Sequence, residues 1–258
     1  MTHQLPPFVE PAWLGAHRDD VVLVEVAAEL SLPGVVHLDV DRDLSAPAGS
    51  ATGRHPLPTP EAFARTMARA GIADDDRVVA VDDAGGVMAA RLVLMLRATG
   101  HAAALLNGRP DDLAGSGPRP RATFTPRPWP DALLADAVDV LDVAAVVLDA
   151  RPRDRYLGKP DPLDPRPGHA PGARSLPCRE SLDESGRLLP DDLLRARFSR
   201  AGVQAGVPVV AYCGSGVTAC HDLLVMERLG LGSGRLYVGS WSQYAADPAR
   251  PVSLVDEG

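Results

Sequence analysis

The fold follows from the stretch Val207-Pro-Val-Val-Ala-Tyr-Cys213-Gly-Ser-Gly-Val-Thr-Ala219, which is typical of a buried strand, a glycine loop and the start of a helix. The first half of the chain carries a related stretch, in which the strand Arg77-Val-Val-Ala-Val-Asp82 precedes the loop Asp83-Ala-Gly-Gly86. Asp82 and Cys213 end the two strands and lie about half of the 258 residues apart. We therefore predict one structural unit that occurs twice.

Other strand and helix patterns recur around these two stretches in the same order. Apolar runs rich in Val, Leu and Ala predict strands at 21–26, 102–106, 143–150 and 235–238. Helical patterns cover residues 60–70, 88–99, 190–201 and 218–229. Strands that alternate with helices are typical of parallel β-α-β units. The predicted fold is therefore α/β, with two tandem domains that each hold a mainly parallel sheet flanked by helices.

A stretch rich in proline and glycine separates the two predicted domains. Residues 115–130 show no helical or strand periodicity and carry too many prolines for a regular element. We therefore expect a linker at 115–130, between a first domain at 1–114 and a second at 131–258. We expect its backbone to be unpacked, so that a protease cuts there first.

Composition and charge narrow the class of protein. Apolar residues make up 45% of the chain and charged residues 23%, which is enough for a hydrophobic core. The net charge of −8 argues against a nucleic-acid or anionic-membrane partner, because such surfaces attract clustered Lys and Arg. The longest apolar run is about six residues, far below the ~20 of a membrane span, and the first ten residues lack a signal-peptide pattern. We expect a cytoplasmic protein that acts on small molecules.

Cys213 is the candidate nucleophile. Glycines at 214 and 216 let the backbone turn sharply at the start of a helix, so that several N–H groups point inward and favour a thiolate. The competing interpretation is a small buried hydrophobic residue at a strand end. A cysteine phosphatase is a weaker alternative, since it needs an Arg to close the loop and positions 219 and 220 are Ala and Cys. Sulfur transfer is the chemistry that fits the loop.

The loop and several further motifs resemble the two-domain rhodanese family, and within it the 3-mercaptopyruvate sulfurtransferases. The motifs are the loop at 213–219, Asp149-Ala-Arg151, Arg155-Tyr-Leu-Gly158, Gly168-His-Ala-Pro-Gly-Ala173, Gly239-Ser-Trp241, His55-Pro-Leu-Pro58 and Asn107-Gly108. The resemblance implies a persulfide on Cys213, with no metal and no organic cofactor. It also implies an inactive first domain, which matches Asp82 at the position of Cys213 in the repeat.

The resemblance also assigns site residues. It implies that Arg155 holds the anionic group of the donor, and that the backbone of Gly214, Gly216, Val217 and Thr218 cradles the sulfur. It further implies that Ser215, His55 and Asp41 act together, because a His between a hydroxyl and a carboxylate can relay a proton. A surface His without a catalytic role is the competing interpretation of His55.

Other basic residues near Arg155 receive no catalytic role. The segment 151–174 holds six Arg or Lys against three Asp, which suits an anionic substrate. We nevertheless expect Arg151, Arg153 and Arg174 on a solvated face. Arg166 is not assigned to the substrate.

The choice of sulfur donor rests on two loop positions. Thiosulfate-preferring relatives carry Arg and Lys where this chain has Gly214 and Ser215. The loop is therefore expected to lack positive charge and to favour monoanionic 3-mercaptopyruvate over dianionic thiosulfate, with cyanide or a thiol as the acceptor. Two alternatives stay open: a thiosulfate sulfurtransferase, and a non-catalytic persulfide carrier or binding module.

Overall fold

A computed structural model describes residues 5–108 and 113–256 of the chain. Within these ranges the strands are β1 (Phe8–Val9), β2 (Val22–Val26), β3 (Val36–Leu38), β4 (Arg77–Val81), β5 (Ala102–Leu106), β6 (Leu134–Ala135), β7 (Val146–Asp149), β8 (Arg174–Ser175), β9 (Val209–Tyr212) and β10 (Arg235–Tyr237). The α-helices are α1 (Pro11–Ala16), α2 (Val40–Asp43), α3 (Pro60–Arg69), α4 (Ala90–Ala98), α5 (Arg153–Tyr156), α6 (Asp191–Arg200), α7 (Ala219–Arg228) and α8 (Ser240–Tyr244). Among these described helices, none has the length and apolar character that a membrane crossing requires.

The strands form two five-stranded sheets with the same topology. The first sheet has the order β1-β5-β4-β2-β3 and the second has the order β6-β10-β9-β7-β8, and every neighbouring pair is parallel. Each strand of the first sheet thus has a counterpart at the same place in the second. The predicted α/β fold, with its internal repeat and mainly parallel sheets, is confirmed.

The chain divides into two compact units, each built mainly from one half of the sequence. The first contains the described residues of Met1–Ala46, Leu57–Pro130 and Glu184–Leu188. The second contains those of Pro47–Pro56, Asp131–Asp183 and Leu189–Gly258. The segment 47–56, from the first half of the sequence, therefore belongs to the second unit. The segment 184–188, from the second half, belongs to the first unit.

Central strands and their following helices form the core of each unit. Val79 and Ala80 in β4, and Val210 and Ala211 in β9, are fully buried. Such continuous burial is typical of parallel strands that are covered on both faces, and it explains the uninterrupted Val-Val-Ala patterns. Helices α4 and α7, which follow these strands, are also buried along most of their length. The loops between β4 and α4 and between β9 and α7 lie at the carboxyl ends of the sheets, where α/β proteins place their ligands.

The segment 115–130 differs from the prediction in one respect. It contains no helix or strand, as its composition indicated, but it is not unpacked. The N–H of Gly115 donates to the carbonyl of Pro33 at 2.7 Å, and the N–H of Thr125 donates to Asp74 at 2.8 Å. The expectation of unpacked backbone was therefore wrong, because proline-rich chain without periodicity can still pair its polar groups with the first unit. The domain boundaries at 114 and 131 stay a prediction.

Candidate active site

Cys213 is fixed at the carboxyl end of strand β9 by contacts on both sides of its backbone. Its N–H donates to the hydroxyl of Ser240 at 3.1 Å, and its carbonyl accepts from the N–H of Trp241 at 2.9 Å. Ser240 has a φ of +51°, a left-handed conformation that non-glycine residues adopt rarely and that is enriched at functional sites. Cys213 is therefore held in one position, with only 1% of its surface exposed.

The loop after Cys213 directs hydrogen-bond donors at its sulfur. The N–H of Gly216 lies 3.1 Å from Sγ. Burial raises the pKa of Cys213, but hydrogen bonds from the Thr218 hydroxyl and from the N–H groups of Ser215, Ala219 and Gly216 outweigh it, so the pKa is lowered overall. Cys213 consequently carries more thiolate at neutral pH than an ordinary cysteine does.

The corresponding loop of the first unit binds an anion that is part of the chain itself. The carboxylate of Asp82, which is 2% exposed, accepts from the N–H groups of Ala84, Gly86, Met88 and Ala89 at 2.6 to 2.9 Å. Four converging amide donors form a nest of the kind that binds anions at the start of a helix. Because the two loops are repeats of one unit, this contact shows that their backbone geometry suits a negative charge at the strand end.

A second thiol, Cys178, lines the same cavity as Cys213 but has the opposite electrostatic environment. Burial raises its pKa, and the negative charges of Asp222 and Cys213 raise it further. Cys178 thus stays a protonated thiol under conditions in which Cys213 is partly a thiolate. Cys220 lies on α7, where its Sγ donates to the Gly216 carbonyl at 3.4 Å, as expected for a residue of the core.

A cavity of about 510 Å³ opens above Cys213 in the second unit. This volume suits a small-molecule ligand. Residues that line it include Arg54, Arg153, Arg155, Cys178, Cys213, Gly214, Ser215 and Thr218. In all, five of the described arginines line the cavity (54, 151, 153, 155 and 179) against Asp154 and Glu180, and with the loop they make it a candidate site for an anionic substrate.

The predicted loop residues divide into two groups. Gly214, Ser215 and Thr218 line the cavity, whereas Gly216 and Val217 belong to the loop without being among its lining residues in the described chain. Gly216 has a φ of +78°, and a side chain there would collide with the carbonyl of Val238. Glycine at 216 is therefore a requirement of the backbone that directs an N–H at the sulfur.

Arg155 reaches the cavity from helix α5. Its guanidinium pairs with Asp164 through Nη2 and with Asp161 through Nε, the latter at 3.3 Å. The same Nη2 lies 3.8 Å from the point where a Cβ on Gly214 would stand. The structure thus places Arg155 beside the loop, and its role in binding the donor stays a prediction.

Arg54 is a cavity residue that the sequence analysis missed. It lies in the segment 47–56, and its Nη1 donates to the carbonyl of Leu163 at 2.6 Å and to Asp164 at 3.2 Å. Its neighbour His55 was the predicted residue, because nothing in the sequence connects residue 54 with a loop at 213–219. The family motif at 55–58 was the one signal that pointed to this part of the chain.

Two other arginines of the basic segment have structural roles. Arg151 was expected on a solvated face, but it is 2% exposed, is bound by Asp149 at 2.6 Å and stacks over the Trp241 ring at 4.5 Å. The expectation was wrong because Asp149 neutralises the charge inside the core. Arg166 donates to the carbonyls of Ala245, Asp247 and Arg250, which agrees with its omission from the substrate-binding residues.

The predicted relay of Ser215, His55 and Asp41 is divided between the two units. Ser215 lines the cavity, and His55 is half-buried in the segment 47–56 of the second unit, next to Arg54. Asp41 lies on helix α2 of the first unit. The relay therefore stays a prediction.

The different environments of the two cavity cysteines predict different pH profiles of alkylation. We expect iodoacetamide to label Cys213 with an apparent pKa below the ordinary thiol value of 9.0, since the thiolate is the reactive form and the pKa is lowered. The labelling rate should stay high below pH 9 and should fall as the pH drops through that lowered pKa. Mass spectrometry of the two cysteine peptides across pH 5 to 10 measures both profiles. Labelling of Cys178 at lower pH than Cys213 would contradict this account.

Known proteins resemble the chain in sequence and in fold. A family model described as a rhodanese-like domain matches residues 132–247. A probable 3-mercaptopyruvate sulfurtransferase of Pseudomonas aeruginosa is 38% identical, over 90% of this chain and 87% of the relative. A thiosulfate/3-mercaptopyruvate sulfurtransferase of Arabidopsis thaliana is 30% identical, over 95% and 80% respectively. The crystal structure of the 3-mercaptopyruvate sulfotransferase SseA from Escherichia coli is 31% identical, with a TM-score of 0.75, over 92% of this chain and 99% of that one.

Proposed function

Because the chain belongs to the rhodanese-like sulfurtransferase family, we propose that it transfers a sulfur atom from 3-mercaptopyruvate through a persulfide on Cys213 to cyanide or a thiol. The observation that carries the proposal is the sulfur of Cys213, held under loop N–H groups at the base of a cavity that arginines line. We also propose a cytoplasmic location and no nucleic-acid or membrane partner. Cell fractionation tests the location.

The first half-reaction forms the persulfide. The Cys213 thiolate attacks the donor sulfur, the carbon–sulfur bond of 3-mercaptopyruvate breaks, and the enolate of pyruvate leaves with the bonding electron pair. The enolate then takes up a proton to give pyruvate, for which the relay of Ser215, His55 and Asp41 is the proposed source. The persulfide that remains occupies the position at which the loop donors converge, so its charge is stabilised as the thiolate was.

The second half-reaction restores the enzyme. An acceptor thiolate or cyanide attacks the outer sulfur of the persulfide, and the sulfur–sulfur bond breaks. The acceptor leaves as a new persulfide or as thiocyanate, and Cys213 regains its thiolate. The lowered pKa of Cys213 assists both halves, because it provides the nucleophile in the first and makes a better leaving group in the second.

Arg155 is the proposed contact for the carboxylate of the donor. It lines the cavity beside Gly214, and it pairs with Asp161 and with Asp164, a carboxylate that it shares with Arg54 and Arg151. A guanidinium can hold a carboxylate by two parallel hydrogen bonds, which also fixes the orientation of the donor. The donor sulfur would then be directed toward Sγ of Cys213.

Thiosulfate is a second candidate donor, and one observation favours it. Arg54 adds a positive charge beside the loop, whereas the loop positions 214 and 215 themselves carry none. The Arabidopsis relative is named for both donors, which fits a cavity of this type that accepts either.

Steady-state kinetics with both donors and cyanide test the proposed function. We expect turnover with each donor and a higher kcat/KM for 3-mercaptopyruvate, because its carboxylate matches Arg155 and pyruvate is its product. Pyruvate and thiocyanate should appear in equal amounts. A protein that becomes persulfidated but does not turn over would be a carrier rather than an enzyme. A higher kcat/KM for thiosulfate would reverse the order of the two donors.

A further inference from the structure

A second cavity, of about 240 Å³, lies next to the cavity above Cys213, which is the first cavity. Arg153 and Glu180 line both cavities, so they form part of a wall that the two share. The chain also passes from one to the other, because Leu176 lines the second cavity and Cys178 lines the first. The two cavities are therefore adjacent, and a ligand of sufficient length can contact both.

Three arginines line the second cavity. Arg153 belongs to helix α5, whereas Arg197 and Arg200 belong to helix α6, where a spacing of three residues places both side chains on one face. Among the described residues that line this cavity, Glu180 is the acidic one. The lining residues thus carry three positive charges against one negative charge, which suits an anionic ligand.

The three guanidinium groups differ in how far they are already paired. Arg197 pairs with Glu180 at 3.0 Å, and Arg153 pairs with Asp256. The side chain of Arg200 is exposed and makes no hydrogen bond or ion pair within the part of the chain that the structure describes. Arg200 is therefore the cation that a ligand can pair with while the two existing ion pairs stay intact.

A buried carboxyl group near Arg197 does not cancel this positive charge. Asp222 on helix α7 is fully buried, and burial raises its pKa well above the ordinary value, which outweighs the opposing effect of Arg197. Asp222 is therefore protonated and neutral at neutral pH. The second cavity keeps its positive charge.

We propose that the second cavity binds the carboxylate of an anionic thiol that accepts the sulfur from Cys213, with Arg200 as its contact. The inference rests on the proposed function, because it names the class of acceptor and the place where the acceptor binds. The acceptor thiolate attacks the outer sulfur of the persulfide, the sulfur–sulfur bond breaks with its electron pair left on Cys213, and the acceptor leaves as a persulfide. A guanidinium that holds the carboxylate by two hydrogen bonds orients the acceptor for this attack.

The position of the second cavity favours the acceptor over the donor as its ligand. The donor 3-mercaptopyruvate is short, and its carboxylate is assigned to Arg155, which lines the first cavity and is not among the described residues that line the second. The acceptor must reach the same sulfur after pyruvate has left. A longer thiol can place its sulfur in the first cavity and its carboxylate in the second, and a thiol peptide of two or three residues has this form.

Glutathione and its diethyl ester test the inference, because they share one thiol and nearly the same size but only glutathione has free carboxylates. With saturating 3-mercaptopyruvate, we expect Arg200→Gln to raise KM for glutathione about tenfold. The ratio of kcat/KM for glutathione to that for the ester should fall by the same factor. An unchanged ratio would overturn the inference.

Two further variants separate the role of Arg200 from a general surface effect. Arg200→Lys should recover part of the loss, since it keeps the charge but not the planar group that binds a carboxylate by two hydrogen bonds. Arg195→Gln removes a charge from the exposed surface of the same helix at a residue that does not line the cavity. It should match the wild type with both thiols. A loss in Arg195→Gln equal to that in Arg200→Gln would contradict a specific contact.

A binding measurement distinguishes failure of the inference from failure of the proposed function. S-methylglutathione has the carboxylates of glutathione but no thiol that could accept sulfur. By isothermal titration calorimetry, we expect Arg200→Gln to raise its Kd about tenfold and Arg195→Gln to leave it unchanged. If the protein bound S-methylglutathione in this way but did not transfer sulfur, the proposed function would fail while the anion-binding cavity stood. Absent binding, or equal binding to the wild type and Arg200→Gln, would overturn the inference whatever the activity.

Discussion

Replacing Cys213 by serine is expected to reduce sulfur transfer from either donor by more than about 10³-fold while the chain stays folded. Serine keeps the shape of cysteine and can still accept from the N–H of Gly216, so the loop retains its conformation. Its hydroxyl is not ionised at neutral pH and cannot form a persulfide, so the covalent route is lost. Steady-state kinetics and circular dichroism of the variant measure the two expectations.

The mass of the wild-type protein gives the complementary evidence. After treatment with donor and before addition of cyanide, we expect one added sulfur, a mass increase of ~32 Da on the peptide that contains Cys213. Cys178→Ser is the matched control, because Cys178 lines the same cavity but has a raised pKa and should not carry the sulfur. That variant should retain activity and the added mass. A persulfide found on Cys178 instead would move the nucleophile to the other wall of the cavity.

The sequence predicted the long elements of the fold well and the short ones poorly. The central strands β4 and β9 and the helices α3, α4, α6 and α7 begin and end within three residues of their predicted bounds. Fully buried strands and amphipathic helices leave clear patterns, because every residue of these elements is constrained by packing. The edge strands β1, β6 and β8 contain two residues each, which is too few for any periodicity.

The candidate site was predictable where its residues are adjacent in sequence. Cys213 and the glycines of its loop form one motif, and the loop geometry follows from the chemistry of those residues. Arg54 was missed, and Ser240 was found only as part of the motif Gly239-Ser-Trp241 and received no role, because their contacts with the loop depend on how distant segments fold onto it. Arg151 was wrongly predicted on a solvated face for a related reason. Its partner Asp149 is close in sequence, but only the burial seen in the structure shows that the ion pair lies in the core. Site residues that are adjacent in sequence can thus be predicted from their chemistry, whereas contacts between distant segments require the structure.

The two repeated loops differ in the group that their N–H donors surround, because the first unit has Asp82 where the second has the candidate nucleophile. In the second unit the nest of N–H groups surrounds Sγ of Cys213, and in the first it surrounds the Asp82 carboxylate. The carboxylate satisfies four donors at once, at the position in its loop that corresponds to Cys213 in the repeat. The same backbone that stabilises a reactive anion in one unit therefore stabilises the fold in the other.

Replacing Asp82 by alanine is accordingly expected to destabilise the first unit by ~3 kcal/mol or more. The variant leaves the N–H groups of Ala84, Gly86, Met88 and Ala89 without their acceptor, and each buried donor left unpaired costs about 1 to 3 kcal/mol, offset in part by water that enters. Hydrogen exchange followed by mass spectrometry should show faster exchange in the peptide that covers residues 83–90. The peptide that covers 213–219 should be unchanged.

Asp83→Ala is the matched control for this prediction, because Asp83 is the exposed neighbour of Asp82 in the same loop. It removes the same charge and the same number of atoms, but it should leave exchange and the denaturation midpoint close to those of the wild type. Asp82→Asn should fall between the two, since its amide oxygen can still accept from part of the nest. If the Asp82→Ala and Asp83→Ala variants were equally stable, the four hydrogen bonds would contribute nothing measurable to the free energy of unfolding. The carboxylate would then be a remnant of the repeat, and not the group that holds the loop.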